Sequence, residues 1–316
     1  MKPSADILMK IGADIGVNRR SDLRAQNAWH DEQWNNGHTR LMIMVDLKAV
    51  IQSNPARTET SIRWFSHDET VQLGLAPGDF MFLGVNEAGD GRYFIALTEK
   101  KALGLASAAQ LLRPAVDLRS LADQGVMNRG DLSLIGAARS LGAWHISHRF
   151  CGTCGGATEV GDRGWRRVCS GCTVEHFPRM DPVVIMLITF GNECLLARDV
   201  RFPETLYSAL AGFLEPGEDV EAAVRREVFE EVGLDLVSVD YKFTQPWPFP
   251  YSLMIGCRAE AADKALTIDG TEIADAFWVD RSELSDLLNG SRSGSVDLPQ
   301  DYAIANRLMR NFINEA

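Results

Sequence analysis

The sequence predicts an α+β chain in three successive parts: an α+β domain over residues 1–145, a short cysteine-held ribbon over 146–178, and a second domain of strands and helices over 179–316. Three observations predict it. Strand-length apolar runs separated by turn residues fill the first part, paired C-x2-C knuckles mark the second, and a glycine loop leading into a glutamate-rich helix marks the third. With 46% hydrophobic and 24% charged residues in 316, the chain is long enough for two domains and a small module.

Composition also excludes classes of function. No apolar run reaches the ~18–20 residues of a membrane helix. The opening MKPSADILMKIGADIGVNRR has no sustained apolar stretch before its charges, so we expect neither a membrane span nor a leader, and a cytoplasmic protein. The formal charge of −11 argues against duplex DNA as a partner, because that affinity comes mainly from lysine and arginine against phosphates.

In the first part, residues 41–51, 61–65, 80–85 and 93–97 read as strands, the last two as a hairpin around the turn-rich 86–91. Asp131 is placed to cap a helix running through Leu134, Ala138 and Leu141 to Trp144. This part supplies no metal cluster, nucleophile pair or phosphate loop, and His30, His38 and His67 read as surface or packing residues.

In the second part Cys151, Cys154, Cys169 and Cys172 fall as C-x2-C, a fourteen-residue interval, then C-x2-C, with turn glycines at 152, 155 and 171. That spacing suits a tetrahedral thiolate site for Zn²⁺. Four sulfurs close the coordination sphere, so the zinc is expected to be structural, holding a segment too short to own a core. Disulfides or a redox C-x-x-C are the rival readings. His176 is left outside the shell, and Arg163, Arg166, Arg167 and Arg179 make the ribbon locally basic, a candidate surface for a phosphate-bearing partner.

The third part opens after Pro178 and Pro182 with a buried strand at 183–190 and a hairpin partner at 194–197; Cys194 and Cys257 read as buried small hydrophobes. Residues 206–213 lead into GFLEPGEDVEAAVRREVFEEVGL, residues 212–234. Asp219 can cap a helix from Val220 and Gly233 can end it. Val220, Val224, Val228 and Val232 form an apolar stripe, bordered by Glu227, Glu230 and Glu231. Like charges at that spacing repel by roughly 0.2–0.5 kcal/mol and acids near a helix C-terminus oppose its dipole. A bound cation reverses both signs, so the stretch reads as a divalent-metal cradle.

After it, residues 244–252 read TQPWPFPYS. Alternating prolines delete amide donors, so this cannot be a central strand; it is a stiff extended segment carrying aromatics suited to stacking on a base.

Gly212, Glu218, Arg226, Glu227, Glu230, Glu231 and Gly233 stand as in the Nudix box, so the chain resembles Nudix hydrolases. The ribbon and TQPWPFPYS narrow the resemblance to the NADH pyrophosphatase family, NudC-type, which typically carries SQPWPFPxS; Thr244 stands where serine is usual, and Phe177 where tyrosine often is. The resemblance is strong from about residue 148 onward and weak before it. It implies a Nudix α/β/α sandwich with a mixed sheet, hydrolysing NAD(H) to nicotinamide mononucleotide (NMN) and AMP and, in some members, removing an NAD cap from RNA 5′ ends. It implies Mg²⁺ or Mn²⁺ held by Glu227, Glu231, Glu272 and the Ala211 carbonyl, with Arg226 pairing with Glu218, Glu230 beside them, and a metal-activated water as nucleophile. Substrate contacts carry over to Gln245, Pro246, Trp247, Pro248, Phe249, Pro250, Tyr251 and Ser252, to Phe177 and Phe213 around a base, and to Ala305 in the terminal helix; the family is usually a homodimer. The alternatives are another nucleoside diphosphate derivative such as ADP-ribose as substrate, or a nucleic-acid-binding zinc-ribbon protein with an inactive Nudix domain.

Overall fold

The chain divides into two compact units, one of Lys10–Arg179 together with Pro248–Tyr251, the other containing Met180–Trp247 and Ser252–Ala316. The computed structural model describes residues 16–34, 36, 38–56, 58–86, 91–98, 111–290 and 296–315. The opening segment and the hairpin tip at 87–90 lie outside the described residues.

The first unit is built on an eight-stranded sheet whose centre runs Phe80–Asn86, Arg92–Thr98, Thr39–Val45, Lys48–Ser53. The expected hairpin is present, Phe80–Asn86 pairing antiparallel with Arg92–Thr98. The run at 41–51, expected as one strand, is two. Asp46 and Leu47 both take left-handed φ, 49° and 61°, the geometry of a tight hairpin turn whose twist matches its strands. The helix Arg129–Ser147 is capped by Asn128, not Asp131: the Asn128 side chain accepts from the Asp131 N–H at 2.9 Å. Asp131 instead accepts the Ile62 N–H at 3.0 Å, tying the helix start to the sheet. His30 is a core residue, 2% exposed, edge-on to Trp29 and Phe82.

The ribbon is a three-stranded sheet of Glu175–His176, Arg166–Cys169 and Thr158–Gly161 in the same unit. Buried Arg167 donates to the Thr158 hydroxyl and carbonyl, each at 2.7 Å, and lies 2.9 Å from Nδ1 of His145 on the long helix.

The second unit is a six-stranded mixed sheet, ordered Leu236–Trp247, Ser252–Ala261, Asp181–Phe190, Glu193–Asp199, Ile273–Asp280, with Leu210–Phe213 added beside Asp181–Phe190. Asp181–Phe190 runs parallel to Ser252–Ala261 and antiparallel to its other partners. Because successive side chains of a strand face opposite ways, its unbroken apolar run serves two cores. Val184, Met186 and Ile188 pack with Val224, Val228 and Val232 of the helix Val220–Val232. Val183, Ile185 and Leu187 pack on the other face with Leu308, Met309 and Phe312 of the helix Ile304–Asn314. The result is the helix–sheet–helix sandwich expected. Among the described residues no helix is long and apolar enough to cross a membrane.

Candidate active site

The helix Val220–Val232 begins and ends where the spacing places it. The Asp219 side chain accepts from the Ala222 N–H at 2.8 Å, and Gly233 closes the helix at φ 70°. With the valine stripe driven into the core, Glu227 and Glu231 are carried to its edge and come to rest only 8% and 5% exposed. They line a cavity of about 950 Å³ with Ala211, Gly212, Phe213, Glu230, Trp247, Ser252, Asp269 and Glu272.

Arg226 organises the loop before the helix. Its Nε and Nη2 donate to the two Glu218 oxygens at 2.6 and 2.9 Å, Nη2 also to the Phe213 carbonyl at 2.9 Å, and Nη1 to Glu227 and Glu230 at 2.9 and 3.0 Å. The guanidinium pushes Glu218 down to about 2. Burial acts the other way on the helix acids. It raises Glu227, and together with the charges of Glu227, Glu272, Asp269 and Asp199 it pushes Glu231 up to about 8.

Glu231 Oε2 is buried with no hydrogen-bond partner among the described residues. A buried carboxylate without a donor, ringed by other acids, is costly unless a proton or a cation sits against it. Glu227, Glu231, Glu272 and Ala211 line this cavity together, and oxygen donors of this kind are what a hard divalent cation takes.

In the ribbon the Sγ atoms of Cys151, Cys154, Cys169 and Cys172 all lie within 4.8 Å of one another. The Cys151–Cys172 and Cys154–Cys169 sulfurs are 3.7 and 3.4 Å apart, far beyond a disulfide bond. Backbone N–H groups, that of Cys154 foremost, push the Cys151 thiol down to about 5, which favours the thiolate a metal binds. The donor set fits zinc. His176 Nε2 lies 3.3 Å from Cys151 Sγ, beside the sulfur cluster.

Residues 146–177 match the NADH pyrophosphatase zinc ribbon domain and residues 178–297 the NUDIX domain. The NAD-capped RNA hydrolase NudC of Pseudomonas putida is 40% identical over 188 residues, which cover 57% of this chain and 67% of that one. The chain belongs to the Nudix family, in its NADH pyrophosphatase branch. The human NAD-capped RNA hydrolase NUDT12 is 42% identical over 193 residues, 58% of this chain and 42% of that protein. NudC of Stutzerimonas stutzeri is 48% identical over 147 residues, 46% of this chain and 52% of that protein. Thus the chain spans only about half the length of these two relatives.

The remaining Nudix-branch positions distribute unevenly. Phe213, Trp247 and Ser252 line the cavity. Gln245 does not: it is fully buried, donating to the Tyr302 carbonyl at 2.7 Å and accepting the Ile304 N–H at 2.8 Å. Ala305, 3% exposed, lies in the core under the sheet. Pro246 is exposed on the edge strand, as a residue lacking a donor requires. Pro248–Tyr251 belongs to the first unit, where the Phe249 ring lies 4.7 and 4.9 Å from the guanidinium carbons of Arg119 and Arg139, the Ser140 hydroxyl donates to the Pro250 carbonyl at 3.0 Å, and Arg179 lies 5.6 Å from the Tyr251 ring. Phe177 and Phe213 are each 60% exposed.

Sequence reading missed Asp269. Its carboxylate accepts the N–H groups of Thr271, Glu272 and Ile273 at 2.8, 2.8 and 2.9 Å, shaping the turn that presents Glu272. The Thr271 hydroxyl and those amides hold Asp269 well below the usual carboxylate range. The signal was the Asp-Gly pair at 269–270, a turn former.

Proposed function

We propose that this protein is a divalent-metal-dependent hydrolase of the diphosphate bond of NAD(H), releasing NMN(H) and AMP, and that it also removes the NAD cap from RNA 5′ ends. The observation that carries the reading is Glu231 Oε2, buried and unpartnered in a wall of carboxylates beside an open cavity. The names of the relatives support the substrate: NAD-capped RNA hydrolase for the NudC and NUDT12 proteins, NAD(P)H pyrophosphatase for human NUDT13.

Glu227, Glu231, Glu272 and the Ala211 carbonyl would hold Mg²⁺ or Mn²⁺, which when bound supplies diphosphate charge neutralisation and a lowered water pKa. The chain's own residues do the rest. Arg226 fixes the loop and keeps Glu218, Glu227 and Glu230 in register. Glu231, whose Oε2 is unpartnered on the cavity wall, would be both a ligand of the ion and the base for the attacking water. Trp247 and Phe213 offer aromatic faces to a base. We assign the ribbon cysteines to one structural zinc, and the working state to a cytoplasmic homodimer.

The test is a substrate panel of NADH, NAD⁺, ADP-ribose and NAD-capped RNA with Mg²⁺ or Mn²⁺, products identified by mass. AMP and NMNH from NADH support the reading, and kcat/KM tenfold higher on ADP-ribose overturns the substrate assignment.

A further inference from the structure

Among the described residues two cations stand on the wall of the acidic cavity, Arg226 and Arg201. Arg226 is spent, its guanidinium nitrogens donating to Glu218, Glu227, Glu230 and the Phe213 carbonyl. Arg201 is held differently. Its Nε and Nη2 both donate to the Asp199 carboxylate, Nε at 2.9 and 3.1 Å, and its own backbone N–H donates to Asp199 Oδ1 at 2.7 Å. Nη1 makes no hydrogen bond among those resolved for the described residues, and the side chain is 81% exposed.

The turn that carries Arg201 is coupled to the acid cluster through the backbone. The Phe202 N–H closes it on the Asp199 carbonyl at 2.9 Å, and the Val200 N–H donates to the Glu272 carbonyl at 2.9 Å. One main-chain bond therefore sets Arg201 and Glu272 on the same cavity edge. Asp199, 17% exposed, takes one side of the guanidinium. A planar cation clamped on one side, with a donor left on the other and beside carboxylates that bind a cation, has the form of a phosphate-oxygen receptor.

We propose that Arg201 is a substrate-positioning residue, its Nη1 donating to a non-bridging oxygen of the bound diphosphate. The assignment deepens the diphosphatase reading and rests on it for the identity of the substrate. Asp199 pre-orders the guanidinium, so binding orders little further.

Two measurements separate the two claims. NADH turnover by the full chain tests the diphosphatase reading alone. Titration calorimetry with ADP and Mg²⁺, comparing the wild type with Arg201→Gln, Arg201→Lys and Asp199→Asn, tests Arg201. The expected result is ADP affinity about 10–100-fold weaker for Arg201→Gln, the range for a charge-assisted hydrogen bond. A smaller loss is expected for Lys, which keeps the charge without the fork, and a loss of a fewfold for Asp199→Asn, with melting temperatures unchanged. Equal ADP affinity in wild type and Arg201→Gln overturns the assignment, and so does failure of the wild type to bind ADP.

Discussion

The carboxylate of Glu227 fills the space that a side chain on Gly212 would need: a Cβ there would lie 1.9 Å from the Glu227 carboxyl carbon. The glycine is what lets the acid lie against the strand Leu210–Phe213. Gly212→Ala must push the carboxylate away by an ångström or more, and displacements of that size cost on the order of 100-fold in rate. We expect NADH turnover to fall by at least that factor with the melting temperature nearly unchanged. Activity within threefold of wild type would show that Glu227 relocates without loss.

Glu231 gives the metal-free protein a pH dependence of definite sign. Its folded value of about 8 exceeds the ordinary 4.5, so the folded chain keeps this proton after the unfolded chain has lost it. Stability therefore falls as pH rises from about 4.5 to 8, at up to ~1.4 kcal/mol per unit, and levels off above. With zinc present and no Mg²⁺ or Mn²⁺ added, the wild type should melt progressively lower from pH 5 to 8, while Glu231→Gln should lack this component. Mg²⁺ at pH 8 should restore the wild type and leave the variant unmoved. A gap between the two proteins that does not change with pH would remove Glu231 as its source.

The box was legible because its determinants are local: valines at helical spacing fix which way Glu227 and Glu231 point, and Asp219 and Gly233 fix the helix ends. The paired knuckles were legible for the same reason. The break in the run at 41–51 was not, since apolar periodicity carries no record of the left-handed φ at Asp46 and Leu47. Nor could the sequence assign Arg201, whose place depends on the bond between Val200 and Glu272, far apart in the chain. Gln245 shows the limit of a motif: it shares a strand face with Trp247, which reaches the cavity, but its own amide is taken up by the Tyr302 carbonyl and the Ile304 N–H.

That pairing makes Gln245 a stability residue. Gln245→Leu leaves the Tyr302 carbonyl and the Ile304 N–H without the amide that now serves them, each a buried group worth about 1–3 kcal/mol when orphaned. Denaturant unfolding should show a loss of roughly 2–4 kcal/mol, larger than the matching change in kcat for NADH once the protein is folded. A full-stability variant with a large rise in KM would return Gln245 to the substrate.

His145 joins the long helix to the ribbon, and its titration reports on that joint. The ring lies 2.8 Å from the Gly164 carbonyl through Nε2 and 2.9 Å from Arg167 Nη1 through Nδ1, so it is held neutral, accepting from the arginine while donating to the carbonyl. Burial, foremost, and the neighbouring Arg167 push it down to about 4 from the ordinary 6.5. Because the folded value is depressed, the unfolded chain takes up this proton first, and the stability present above pH 6.5 is lost as pH falls toward 4. The slope is up to ~1.4 kcal/mol per unit, and in this window Arg167 must surrender its acceptor before the imidazole can charge. With zinc supplied in excess, wild type should lose melting temperature between pH 6.5 and 4.5 faster than His145→Gln, whose side-chain oxygen can still accept from Arg167 and cannot titrate. Parallel pH profiles for the two proteins would mean that the ribbon joint does not set the acid sensitivity.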